Sequence, residues 1–191
     1  VVAIIALIGA FAIPNLSSYM KISLGSAARE MSSTIKETYN ASVLTGRVYR
    51  LAYDFKSNSY WVEAGSSGSL LDTKETIERD ERRSRFSSKE DKPAPKSDFA
   101  PDKSITRGKT ALPRGVVFED ILTEQSPDPV TEGTVYTHFF PHGISEQTVI
   151  HLKDTSEHHA TLAISPVIGR TRVIDRYVRK PAPGSDEDES R

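Results

Sequence analysis

The sequence contains no cysteine among its 191 residues. That absence excludes a disulfide framework, a thiolate metal site and a cysteine nucleophile together. It leaves the compartment open, because a domain exported to an oxidising compartment can do without disulfides. Neither sign of charge is in excess: Lys+Arg number 25 and Asp+Glu 26, a net charge of -1. No overall basicity argues for a nucleic-acid partner, so any such binding has to be local. Also missing are GxSxG, HExxH, the phosphate-binding loop, the dinucleotide glycine motif and CxxC. The five histidines remain as candidates for metal or acid–base work. His138 and His142 lie about 13 Å apart if their segment is extended, too far to chelate together. The side chains of adjacent His158 and His159 diverge on a strand. We therefore assign no catalytic residue, no metal ligand and no cofactor, and read the chain as something other than an enzyme.

Long apolar runs are just as scarce, and the one present opens the chain. Residues 1–14, VVAIIALIGAFAIP, are apolar on every side. A helix of that kind has to sit in lipid or inside a protein assembly. Fourteen residues reach roughly 21 Å, short of the roughly 30 Å hydrocarbon core. The run lacks the small-residue cleavage pattern of a secretory signal and passes directly into helical spacing. After Pro14 the apolar residues Leu16, Met20, Leu24, Ala27, Ala28, Met31, Ile35 and Tyr39 recur three and four apart. That is one stripe of an amphipathic helix. A single helix is predicted from residue 1 to about 45, with a kink at Pro14 and Gly46 as its stop.

Beyond Gly46 the period shifts toward two. Residues 48–55 and 59–63 read as a hairpin, and Tyr49, Tyr53, Tyr60 and Trp61 read as cross-strand packing rather than as stacking platforms for bases. Residues 65–109 turn Gly/Ser-rich, then highly charged, then proline-bearing, which predicts an insertion with at most a short solvated helix over 70–85. Strand signals return at 111–121, led in by a turn at 113–115. A loop carrying Pro127 and Pro129 follows, then strands at 134–140, 148–152, 159–165 and 170–177. About seven antiparallel strands are expected, since the connections are too short for helical crossovers. The end, Asp186-Glu187-Asp188-Glu189 behind a Pro/Gly stretch, reads as a solvated acidic tail. The fold class is α+β: a long N-terminal helical stem over 1–46, a β-rich head over 47–178 carrying the insertion 65–109, and a disordered tail over 179–191.

The N-terminal pattern supports a more specific reading. Small residues Ala3, Ala6, Gly9, Ala10 and Ala12, then Ala12-Ile13-Pro14-Asn15-Leu16 and Tyr19, resemble the start of type IV pilins and type II secretion pseudopilins. In that family a processed N-terminus ending in glutamate precedes such a run. Aligned on Pro14, it would add about eight residues and bring the helix to roughly 33 Å, a membrane span. The family's methylated first residue and its glutamate fall on no position of this chain. Further on, Leu112-Pro113-Arg114-Gly115-Val116, Phe140-Pro141-His142-Gly143, and Ile164-Ser165-Pro166 with Gly169-Arg170 are similar to the GspH/FimT family of minor pseudopilins and pilins. The likeness covers roughly residues 1–178, and the insertion and tail depart from it.

The resemblance implies a type IV pilin-like fold and a minor pseudopilin subunit of a type II secretion pseudopilus, acting by assembly. Val2, Ile5, Ile8, Gly9, Phe11, Ile13 and Pro14 would form the assembly helix, moving from bilayer to filament core. The implied partners are other major and minor pseudopilins, the bacterial inner membrane through the helix, and exported proteins met by a head in the periplasm. A second reading comes from Gly169-Arg170-Thr171-Arg172, which resembles the DNA-contacting element of pilins that take up DNA. Arg170, Arg172 and Arg176, with Arg179 and Lys180, are opposed only by Asp175. Arg170 and Arg172 share one side of a strand and would engage neighbouring phosphates. The same arginines also suit the solvent face of a last edge strand, where charge discourages edge pairing.

Overall fold

The computed structural model describes residues 2–65, 99–167 and 169–179, with side chains from Lys21 onward except that of Pro127. One helix, α1 (Val2–Thr45), runs the whole predicted length. Its buried stripe is Leu24, Ala27, Ala28, Met31, Ile35, Thr38 and Ser42, the three-and-four spacing expected of a helix packed on one side. The two alanines bring the backbone close to the sheets. Thr38 and Ser42 are polar yet buried, because their hydroxyls donate back to the carbonyls of Thr34 and Tyr39, each at 2.7 Å. Gly46 ends the helix as its pattern predicts: its φ of +67° is left-handed and its N–H donates to Ser42 O at 3.1 Å.

Eleven strands follow among the described residues: β1 (Tyr49–Asp54), β2 (Ser59–Gly65), β3 (Phe99–Pro101), β4 (Thr110–Ala111), β5 (Val116–Thr123), β6 (Ser126–Val130), β7 (Thr134–Phe140), β8 (Ile144–Ser145), β9 (Thr148–Asp154), β10 (His159–Ile164) and β11 (Thr171–Ile174). They form two antiparallel sheets. The first has the order β3-β2-β1-β7-β8, with β4 also on β2, and the second β11-β10-β9-β5-β6. The α+β class with its antiparallel head is as expected. The expected seven strands are too few, because strands of two or three residues carry no readable period. The loop placed at Pro127 and Pro129 is strand β6, which lies at the edge of its sheet, where proline is tolerated.

The C-terminal limit of the insertion also changes. Phe99, Ala100 and Pro101 pair with β2, and Thr106 is buried with its hydroxyl accepting from Val62 N at 3.0 Å, so residues 99–109 belong to the head. Arg50 holds Phe99 in place: its guanidinium lies between the rings of Phe99 and Tyr136, at 4.1 and 4.2 Å, and pairs with Glu63 at 2.6 Å. The expected helix over 70–85 and the acidic tail from Lys180 lie outside the described residues.

One core joins the helix to both sheets, through Met31 and Ile35 of α1, Leu51, Tyr53, Val62 and Phe139 of the first sheet, and Ile121, Ile150, Leu152 and Leu162 of the second. Tyr49, Tyr53 and Tyr60 are buried in it, as the packing reading requires. Hydrogen bonds close the seam between sheets. Thr137 Oγ1 of β7 donates to Thr148 Oγ1 of β9 at 2.9 Å. Asn58, in the β1–β2 turn, donates to Val116 O at 2.6 Å and accepts from Phe118 N at 3.1 Å.

Candidate functional site

The helix is seated on the head by a socket built from two turns that the sequence marks with glycine. Gly143 closes the turn after β7, its N–H donating to Phe140 O at 3.1 Å, and Gly169 lies just before β11. Both are left-handed, with φ of +75° and +57°. Tyr39 crowds both positions: an added Cβ would lie 3.1 Å from its hydroxyl at Gly143 and would overlap its Cγ at Gly169. Its hydroxyl donates to Gly143 O at 3.2 Å, and its ring lies against Gly169. Ser42 adds a longer hydrogen bond to Phe140 O at 3.4 Å. The Phe140–Gly143 and Gly169 motifs therefore hold the stem.

The residues expected to form the assembly helix, Val2, Ile5, Ile8, Gly9, Phe11, Ile13 and Pro14, all fall within α1. Their side chains lie outside the described residues. The described packed face begins at Leu24, and Ile22 just before it is 67% exposed. Among the described residues, no helix is long and apolar enough to cross a membrane.

The outer face of the second sheet holds a group that sequence reasoning missed. The ladder places Asp120 of β5 opposite His151 of β9, and His151 opposite Thr161 of β10. All three are buried, though they face away from Ile150 and Leu162. The cover is the segment after β11, residues 175–179, which crosses the face as a strap. Thr161 Oγ1 donates to Arg176 O at 2.7 Å and accepts from Val178 N at 3.0 Å. The His151 ring meets Asp120 Oδ1 at 2.6 Å through Nδ1 and Val178 O at 3.0 Å through Nε2. Tyr177 stacks on that ring at 4.0 Å and donates to Asp120 Oδ2 at 3.1 Å. Burial and the neighbouring Asp120 push the Tyr177 phenol above its ordinary range.

A bulge prepares this face. The register shifts between Phe118 and Asp120, so Phe118 and Ile121 both point into the core while two successive acids point out. Glu119 takes His159 at 2.8 Å and Asp120 takes His151. Two further histidines pair with acids. His138 meets Glu146 and His158 meets Asp154, both at 2.8 Å. His158 and His159 diverge, as expected for neighbours near a strand's start. His138 is in β7, which ends at Phe140, where the chain turns through Gly143, and His142 in that turn is exposed. No three His, Asp or Glu side chains among the described residues are placed to hold a metal ion.

The three arginines of the DNA reading are separated in role. Arg170 and Arg172 are exposed while Thr171 between them is half-buried, and Ser165 N donates to Arg170 O at 2.8 Å, extending the β11 pairing by one residue. Both sit on the edge strand of the second sheet. Arg176 is exposed too, but belongs to the strap, where its carbonyl is held by Thr161.

No protein-family model matches the sequence, and neither does any curated protein. The chain is similar to two solved structures of the minor pseudopilin EpsH from the type 2 secretion system of Vibrio cholerae. One shares 8% identity at a TM-score of 0.46, covering 80% of this chain and 97% of that chain. The other shares 8% at a TM-score of 0.49, covering 84% and 99%. Likeness at that level decides neither family nor function.

Proposed function

We propose that this chain is a minor pseudopilin of a type II secretion pseudopilus, anchored by a single helix in the bacterial inner membrane with its head in the periplasm. One observation supports this above the others: the apolar run over residues 2–14 belongs to the same continuous helix, α1, as the stripe from Leu24 to Ser42 that packs on the head. The run is then available to lipid before assembly and to neighbouring subunits after it, while the head meets filament partners or exported proteins. Catalysis has no part in this mechanism.

The test is to isolate the protein from membranes of its own cells and identify what accompanies it. Other subunits with the same apolar N-terminal pattern should co-purify, and Ile8→Lys should abolish both membrane recovery and that association. A wild-type protein recovered from the soluble fraction without such subunits would overturn the reading. The exposure of Arg170 and Arg172 on an edge strand favours a second reading, a pilus subunit that binds DNA for uptake. In that case affinity for duplex DNA should fall steeply with salt and be lost in the Arg170→Ala, Arg172→Ala double variant.

A further inference from the structure

A cleft of about 520 Å³ opens between the start of the packed stem and the strap edge of the second sheet. Three cations line it: Lys21 and Arg29 from α1, and Arg176 from the strap. All three are exposed, and their side chains form no hydrogen bond or ion pair with another described residue. The Arg29 guanidinium lies back over Gly25, where an added Cβ would come 3.4 Å from Nη1, so it leans toward the helix N-terminus and the mouth of the cleft. Two acids, Glu157 and Asp175, line the same cleft. Glu157 is a non-glycine residue at φ +58°, in a turn fastened by Asp154, whose carboxylate accepts from the N–H groups of Ser156 and His158. A strained conformation is thus maintained at a position that presents a carboxylate to the cleft. The histidines of the lining are already engaged, His158 with Asp154 and His159 with Glu119.

Three cations and two acids lining one cleft complement a ligand that carries both a phosphate and an ammonium. Ile22, an aliphatic side chain 67% exposed beside Lys21, offers an apolar rim to whatever is attached to the phosphate. That rim lies on the same helix as the apolar run 1–14 and follows it in sequence. We propose that the cleft binds the headgroup of a phosphatidylethanolamine-type phospholipid. Lys21, Arg29 and Arg176 hold the phosphate, Glu157 and Asp175 hold the ammonium, and the glycerol end leaves past Ile22. The proposal rests on the membrane-anchored reading for its setting, since headgroups would then lie where the stem enters the head. Binding there would fix the height and tilt of the head above the bilayer.

The test titrates the full chain, in detergent, with monomeric dihexanoylphosphatidylethanolamine, following ³¹P line broadening. The matching phosphatidylglycerol lipid and inorganic phosphate serve as comparisons. The ethanolamine lipid should bind about tenfold tighter than either. The Lys21→Gln, Arg29→Gln, Arg176→Gln triple variant should weaken it at least about tenfold with an unchanged melting temperature. The Glu157→Gln, Asp175→Asn variant should remove only the preference for the ethanolamine headgroup. Equal binding by the triple variant and the wild type would overturn the site, and equal binding of all three probes would reduce it to a general anion patch and overturn the headgroup assignment. Flotation of the full chain with liposomes tests the setting separately. A chain that floats but ignores the short-chain lipid keeps its anchor and loses the cleft. One that binds the lipid but fails to float keeps the cleft and loses the anchor.

Discussion

Tyr39 and Gly169 occupy one another's space: a Cβ on Gly169 would overlap Cγ and Cδ2 of the tyrosine ring and come within 2.8 Å of Cε2. Cγ lies on the axis about which the ring turns, so turning the ring in place does not relieve the overlap, and Tyr39 would have to leave its socket. Gly169→Ala should therefore destabilise the protein by roughly 2–4 kcal/mol, combining overpacking with a left-handed φ that alanine resists. Urea denaturation would measure it. Tyr39→Ala in the same chain makes room for the added methyl, so the two losses should add to less than their sum.

The helix offers a control for where its stability lies. Ile35 is fully buried, and Ile35→Ala should remove about 2–5 kcal/mol. Ile22→Ala, at a position 67% exposed, should stay within about 0.5 kcal/mol. A comparable loss at both positions would mean that Ile22 is covered in the folded chain.

Removing one member of the His151–Asp120 pair leaves the other in a buried site without its hydrogen-bond partner, so Asp120→Asn or His151→Ala should each destabilise by about 1–3 kcal/mol. Tyr177→Phe deletes a single hydrogen bond to Asp120 and should remove about 1–2 kcal/mol. All three loosen the strap. Trypsin should therefore cut after Arg176 or Arg179 faster in each variant than in the wild type, before the rest of the head unfolds.

Acid should weaken the head through Glu146 and Asp154. Burial raises both carboxyls, but His138 for Glu146 and the hydrogen bonds of His158 and Ser156 for Asp154 outweigh it, so each lies below its ordinary value of 4.5 or 3.8. A carboxyl depressed by folding stabilises the folded state above its unfolded value, and that stability is lost as pH falls through the folded one. The urea midpoint should be level above about pH 5 and decline below about pH 4. Glu146→Gln should flatten part of that decline while lowering stability at neutral pH.

The sequence by itself determined the elements that local patterning specifies. The apolar spacing from Leu24 to Ile35, the stop at Gly46 and the hairpin around Asn58 follow from helix period, strand alternation and turn chemistry, all of which act over a few residues. It also marked Gly143 and Gly169 as special, without the reason. Only the tertiary structure decided that both make room for Tyr39, more than a hundred residues before Gly143. The short strands β3 and β4 exist because β2 supplies partners, and nothing in Phe99–Pro101 alone distinguishes them from the charged stretch ahead. Asp120, His151 and Thr161 stand 31 and 10 residues apart in the chain and meet through strand register, with a bulge to turn the acid outward and a strap to bury all three. Register depends on pairing between distant segments, and a shift of one residue would send each of these side chains to the opposite face.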